Sequence, residues 1–377
     1  MTSNVGVGHR GHATRSVRCQ SCQSGAQTIS WAHSRPKQGH LVWHQRSGPA
    51  AVQSSTPVLS SRHSSRWTPA WGPQAYLRRQ VCVAASSTTP GVAVLGIGLM
   101  GNKIARRLAE EGFAVTAWNR DASKAAPLAE AGIRVAQSVP EALALADVVL
   151  LLLADAPAIE ATLLQGEAAG QLQGKTIVQM GTIGPNQSRS IAAAVEQAGA
   201  QYMEAPVLGS QPEAAKGTLL VMVGAAQDPA DTPAWKVLQS LSKKPLYLGA
   251  VGSAAAVKLA LNQLIASLTV GFSTSLGLLQ RNDVDIDKFM GILRDSALYA
   301  PTFDKKLQRM LDRDYANPNF PTKHLLKDIR LFTQEATEAK LSTSLLEGLQ
   351  EVIASTVERG LDNTDYSAVH DGVIDPR

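Results

Sequence analysis

The sequence predicts an α/β protein: a doubly wound, largely parallel sheet followed by an all-helical C-terminal domain. Three observations carry this. From Gly91 to about residue 250, short apolar runs alternate with segments of helical spacing. The first apolar run closes on glycines at positions 96, 98 and 101. After Gly252 the rhythm turns wholly helical, with no proline between Pro245 and Pro301.

Taken in order, Val92–Leu95 reads as a buried strand and Leu99–Glu111 as a helix stopped by Gly112. Ala114–Trp118 is a second strand. Asp121 can cap the helix that follows, running to Ala131 and ending at Gly132. Ile133–Ala136 is a third strand and Pro140–Ala146 a short helix. Val148–Leu153 is continuously apolar, as in a strand covered on both faces. Ala158–Leu164 and Gln187–Ala198 continue the helices; Thr176–Met180, Tyr202–Val207, Leu219–Val223 and Leu246–Leu248 continue the strands. Ser253–Arg281 is one long helix, apolar on most sides and therefore expected to be buried between domains or subunits. Helices are expected near Ile286–Asp295, Thr302–Arg313, Lys323–Thr337 and Thr343–Arg359. The predicted organisation is a leader over 1–88, a dinucleotide-binding domain over 91–250 and a helical domain over 251–377.

The leader explains the alkaline composition. The 377-residue chain has a formal charge of +5, yet residues 1–90 hold nine Arg, one Lys and no Asp or Glu. The remaining 26 basic residues face 31 acidic ones, so the body is at −5 and has no patch suited to nucleic acid. Fifteen of the first ninety residues are Ser, and Arg78-Arg79 precede small residues near Cys82 to Ala85. That is the composition of an organelle transit peptide, a plastid one in preference to a mitochondrial one; the alternative is a basic arm that is retained. All three cysteines, at 19, 22 and 82, fall in the leader, and no second Cys or His pair follows, so no metal site is expected. No run of 18 apolar residues occurs, and no membrane span is expected.

The glycines gain meaning from their setting between a strand and a helix. Gly96 permits the tight turn, Gly98 lets the backbone approach a diphosphate, and Gly101 lets helix and strand pack closely. This is the Rossmann-type fingerprint. The end of the second strand selects the dinucleotide. An acidic residue there would take the ribose hydroxyls of NAD, whereas this chain has Asn119-Arg120. Asn119 can donate to a 2′-phosphate and Arg120 can pair with it, with Lys124 one turn on. NADPH is expected over NADH, although Asp121 would become a ribose ligand if the register slipped.

From Gly91 onward the chain resembles the β-hydroxyacid dehydrogenase family, which includes 3-hydroxyisobutyrate dehydrogenases, tartronate semialdehyde reductases and plant glyoxylate/succinic semialdehyde reductases. The resemblance covers about 280 residues and rests on five motifs in the family's order. They are the glycine loop; Met180-Gly181-Thr182-Ile183-Gly184-Pro185; Glu204-Ala205-Pro206-Val207-Leu208-Gly209-Ser210; Gly252-Ser253 with Lys258 and Asn262; and Lys327-Asp328-Ile329. The tail Leu361–Val369 is similar to the family's closing segment. Departures are Gly181 for Ser, Glu204 for Asp, and Leu208 and Ser210 in the substrate segment.

The resemblance implies roles. Ile97, Leu99 and Met100 would touch the cofactor with the three glycines, as would Leu153, Ala154 and Asp155 beyond the fourth strand. Thr182 would face the nicotinamide and the substrate, and Lys327 would close over the cofactor. Leu208, Gly209 and Ser210 would hold the substrate, the last two donating to its carboxylate through backbone N–H and hydroxyl.

Lys258 is the candidate general acid. Apart from it, no charged residue occurs between Ser253 and Arg281, so it is expected to be buried, which costs several kcal/mol without a purpose. Burial also moves a lysine toward the working pH range. Asn262 lies one turn on, on the same face, where it can orient the ammonium or bond the substrate. The expected reaction is hydride donation from NADPH to a short aldehyde bearing a carboxylate. The alternatives are an NAD-dependent oxidising 3-hydroxyacid dehydrogenase and, in another class, a cofactor-binding scaffold without turnover, as in chromatin-associated relatives. A phosphogluconate-type decarboxylating enzyme fits poorly, because the helical domain is too short. A homodimer or homotetramer is expected from the apolar 253–281 helix.

Overall fold

The computed structural model describes residues 89–375; the leader, with the processing site expected near Cys82, lies outside the described residues. The strands are β1 (Val92–Leu95), β2 (Val115–Trp118), β3 (Arg134–Val135), β4 (Val148–Leu151), β5 (Thr176–Gln179), β6 (Gln201–Glu204), β7 (Val207–Leu208), β8 (Leu220–Ala225) and β9 (Leu246–Tyr247). They lie in the order β3-β2-β1-β4-β5-β6-β8-β7, with β9 on β8. The run from β3 to β6 is parallel, whereas β6 and β7 meet β8 antiparallel, so the sheet is mixed at one edge. Chain order reverses between β1 and β4, and that switch point opens a crevice at the strands' C-terminal ends.

The helices of the first half are α1 (Leu99–Glu110), α2 (Ala122–Ala125), α3 (Val139–Ala144), α4 (Ala156–Leu163), α5 (Gly166–Ala169), α6 (Pro185–Gln197), α7 (Gln211–Lys216) and α8 (Pro233–Leu241). They cover two apolar layers. One joins Ile104 and Leu108 to Val94, Leu150 and Val237; the other joins Leu95 and Leu151 to Ile159, Leu163 and Ile191. Most expected elements are present within a residue or two. The expected Asp121–Ala131 helix splits into α2 and a 3₁₀ turn over Ala126–Ala131, where Pro127 has no N–H to continue the ladder. The expected 202–207 strand breaks at Ala205-Pro206 into β6 and β7. The strand expected over 148–153 ends at Leu151, which frees residues 152–155 to turn toward the crevice.

The second half holds α9 (Ser253–Arg281), α10 (Ile286–Arg294), α11 (Pro301–Asp312), α12 (Thr322–Glu338), α13 (Ser344–Thr356) and α14 (Val369–Ile374). The helix expected to reach Arg359 ends at Thr356 and continues as a π turn, with Gly360 at φ 81°. α9 is long and apolar enough to cross a membrane, with a mean hydropathy of 1.4. It nonetheless buries one stripe, including Leu259, Asn262, Ala266, Phe272 and Leu276, against this chain. Its other face leaves Leu264 and Leu268 exposed, so within one chain only a stripe of α9 is buried, not most of its surface.

Glu204 ties the two halves together. It stands at the end of β6, 1% exposed. Its Oε1 accepts hydrogen bonds from the backbone N–H groups of Gly252 (2.9 Å), Ala254 (2.8 Å) and Ala255 (3.1 Å) in the first turn of α9. Its Oε2 accepts from Ser188 Oγ at 2.5 Å. A Cβ at position 224 would come within 2.4 Å of Oε1, so Gly224 makes the room that the longer acid needs. The chain thus caps its longest helix with a carboxylate from the sheet. Replacing Glu204 by Ala strands those buried donors and is expected to lower the unfolding free energy by about 3 kcal/mol. Urea denaturation followed by circular dichroism measures it.

Candidate active site

The crevice at the switch point has a volume of about 1120 Å³ and is bounded by the glycine loop, the ends of β4 and β5, α9, α11 and α12. Eight Lys or Arg side chains line it against three Asp or Glu. A basic cleft in a body of net charge −5 suits an anionic ligand.

The glycine loop is built for a diphosphate. A Cβ on Gly101 would lie 2.0 Å from Gly96 O, so helix and turn can meet only without a side chain. A Cβ on Gly98 would meet nothing within 4 Å, leaving open space over the first turn of α1 where a phosphate would fit. Ile97, Leu99 and Met100 share this loop; Ile97 is buried beneath it and Leu99 is exposed.

Asn119 does a different job from the expected one. Its Oδ1 accepts from Ile97 N at 2.8 Å, and its Nδ2 donates to Asp121 O at 2.9 Å. The side chain braces the glycine loop, which leaves one amide hydrogen for a phosphate. Arg120 is exposed and lines the cleft beside Lys124. Asp121 caps α2, accepting from Ser123 N (3.1 Å) and Ser123 Oγ (2.6 Å). Those bonds hold its carboxyl below the ordinary aspartate range and engage Oδ1 with the helix. Asp155 likewise caps α4 through Ala158 N at 2.9 Å, while Leu153 and Ala154 line the cleft.

Lys327 reaches across from α12. Its Nζ donates to Thr182 O at 2.6 Å and Ala154 O at 3.0 Å, and lies 3.1 Å from Asp328 Oδ1. The lysine therefore pins the helical half to the ends of β4 and β5. At position 181, a Cβ would stand 2.6 Å from Leu153 O, which accounts for Gly181 where the family pattern has Ser.

Lys258 and Asn262 face the cleft from successive turns of α9. Lys258 is partly buried, with no hydrogen-bond partner among the described residues. Desolvation lowers its pKa to about 8; Asp328 opposes that shift and Lys327 adds to it. Asn262 is buried and donates from Nδ2 to Asp328 Oδ2 at 2.6 Å, while its Oδ1 has no partner among the described residues. The amide is thus oriented by Asp328, with a free acceptor.

The substrate segment departs from expectation. Leu208 and Gly209 line the cleft, with Gly209 at φ 132°. Ser210, however, spends both donors internally: its N–H and Oγ donate to Glu213 Oε2 at 2.8 and 2.6 Å. The Ser210-x-x-Glu213 spacing is a capping-box pattern, and that signal could have revealed Glu213 in the sequence. Asp328, the orienting partner of Asn262, lay in the Lys327-Asp328-Ile329 motif, which carried no role for it. A third group, Lys306, escaped the sequence altogether. Its Nζ lies 2.7 Å from the buried Asp365 Oδ1 and 4.3 Å from the centre of the Tyr366 ring, fixing the closing segment as one wall of the cleft.

Glycine loop, switch-point crevice and helical cover together define an NAD(P)-dependent oxidoreductase acting on hydroxyl or aldehyde groups. Residues 91–249 match the NAD-binding domain of 6-phosphogluconate dehydrogenase, and residues 252–371 match the NAD-binding domain of NADP-dependent 3-hydroxyisobutyrate dehydrogenase. The chain belongs to the β-hydroxyacid dehydrogenase family. It is 33% identical to glyoxylate/succinic semialdehyde reductase 1 of Arabidopsis thaliana, over 75% of this chain and 98% of that one. It is 32% identical to the chloroplastic glyoxylate/succinic semialdehyde reductase 2 of the same plant, over 79% and 86%. A 3-hydroxyisobutyrate dehydrogenase from Salmonella typhimurium shares the fold, with a TM-score of 0.67 at 23% identity over 74% of this chain and 99% of that one.

The role of Asp328 can be tested without turnover. Asp328→Asn removes the charge that supports the Lys258 ammonium, so the pKa is expected to fall further below 8. The pH dependence of Lys258 modification by trinitrobenzenesulfonate, followed by peptide mass spectrometry, reads that shift.

Proposed function

We propose that the protein is an NADPH-dependent reductase of short, carboxylate-bearing aldehydes of the glyoxylate and succinic semialdehyde type, with Lys258 as general acid. The observation that carries the reading is Lys258 itself: a cleft-facing lysine with no hydrogen-bond partner among the described residues and a pKa near 8, on the same helix face as an Asn held by Asp328. The two plant reductases support the substrate class. The exposed Arg120 and Lys124, with Asp121 Oδ1 drawn to Ser123, support a 2′-phosphate and thus NADPH. The name of the chloroplastic relative and the acid-free leader support a plastid location. The exposed Leu264 and Leu268 support a homodimer or homotetramer.

NADPH supplies the hydride when bound; the glycine loop, Arg120, Lys124, Leu153 to Asp155, Thr182 and Lys327 would hold it. As charge develops on the aldehyde oxygen, Lys258 Nζ stabilises and protonates it. Asn262 Oδ1, with its amide already fixed by Asp328, accepts from the ammonium or from the nascent hydroxyl. Lys327 holds α12 against the ends of β4 and β5, beside the bound cofactor.

Lys258→Ala is expected to cut glyoxylate turnover by at least ~10²-fold while leaving the NADPH dissociation constant close to wild type; stopped-flow and fluorescence titration read the two. The acid must carry its proton, so reductive kcat is expected to be highest below pH 8 and to fall as pH rises through about 8. Oxidation of the hydroxy acid has the opposite dependence. Arg120→Ala is expected to weaken NADPH by about tenfold, one charge-assisted hydrogen bond, with NADH nearly unaffected.

A further inference from the structure

We propose that Glu213 is a specificity-determining residue that occupies, with its own carboxylate, the donors a substrate carboxylate would use. The inference rests on the proposed reductase reading, in which the segment ending at Ser210 grips the acid end of the substrate. Ser210 offers that segment two donors, the backbone N–H and the hydroxyl. Both point at one oxygen, Glu213 Oε2, at 2.8 and 2.6 Å. These bonds, with a smaller contribution from Lys305, hold the Glu213 carboxyl below its ordinary range, so the internal anion persists through neutral pH. Glu213 is half-buried and lines the same cleft as Lys258, Leu208 and Gly209.

An aldehyde acid entering this cleft meets a site already filled by a group of its own kind. To take Ser210 it must displace Glu213, losing two hydrogen bonds to an anion and gaining two like them, with a carboxylate now alongside. No net gain follows from that exchange. The substrate's acid end is left with the Gly209 N–H and with cations of the helical half. Lys305 on α11 stands near enough to Glu213 for its charge to be felt, with no ion pair of its own among the described residues. Glu213 thus sets how tightly the cleft holds a carboxylate, and lowers that affinity relative to an unblocked segment.

The test is a gain of affinity, which a misfolded variant cannot mimic. Glycolate, the reduced partner of glyoxylate, is titrated calorimetrically into NADP-loaded wild type, Glu213→Ala and Glu213→Gln. Glu213→Ala is expected to bind glycolate at least about tenfold more tightly, and Glu213→Gln to fall between, because its amide oxygen can still accept from Ser210. The neutral analogue ethylene glycol and NADP itself should bind alike in all three proteins. Equal or weaker glycolate binding by Glu213→Ala overturns the proposal, as does a gain shared by ethylene glycol. The binding measurement is separate from turnover, so loss of glyoxylate reduction by wild type would sink the reductase reading without deciding the role of Glu213.

Discussion

The grip of the buried Glu204 carboxylate on the first turn of α9 is the contact on which the site depends. A 29-residue helix has to begin at a defined point if a side chain in its second turn is to meet a ligand held by the sheet. No side chain of its own caps α9, and Gly252 at φ 100° makes a sharp entry. The position of the helix is therefore set from outside, by one oxygen that collects three N–H groups. Lys258 follows Ala255 by three residues, less than one turn. The same carboxylate that stabilises the joint between the halves thus fixes the reach of the candidate acid. Hydrogen bonds to a charged group contribute about 1.5–3 kcal/mol each, more than propensity contributes to any single position of the helix.

Charge is partitioned on a larger scale. The folded body is acidic, yet its cleft gathers an excess of cations from both halves. Arg120 and Lys124 come from the sheet side; Lys305, Lys323 and Lys327 come from the helical side. Two of the cleft acids are already committed, Asp121 to capping α2 and Asp328 to Asn262 and Lys327. Glu213 is committed as well, to Ser210. Arg120, Lys124 and Lys305 thus stand in the cleft beside anions that already accept hydrogen bonds, a field that favours phosphate-rich ligands.

Much of this was legible in the sequence, and the physical reasons are uneven. β1, α1 and α9 were readable because apolar period, glycine stops and absence of proline all agree there. The β6–β7 break needed more weight on Pro206, and the antiparallel edge could not be read, since a short apolar run does not carry its direction. Lys258 stood out as the one charge inside an apolar helix, and Asn262 by the family resemblance and its place one turn on. The partners that orient or occupy the site were harder. Asn119 and Ser210 look like free donors in a string of letters, and only three-dimensional neighbours reveal that Ile97, Asp121 and Glu213 use them. Asp328 and Lys306 lie far along the chain from what they touch, and nothing local announces Asn262 or Asp365 as their partners.

Lys327 has a kinetic side as well as a structural one. Its ammonium grips two backbone oxygens that belong to the far wall of the cleft. Separation of the halves must break both bonds, and each has the strength of a charged contact in a half-dry setting. Parting the halves and releasing the Lys327 ammonium are therefore one event, and exchange of the α12 amides with solvent would report both.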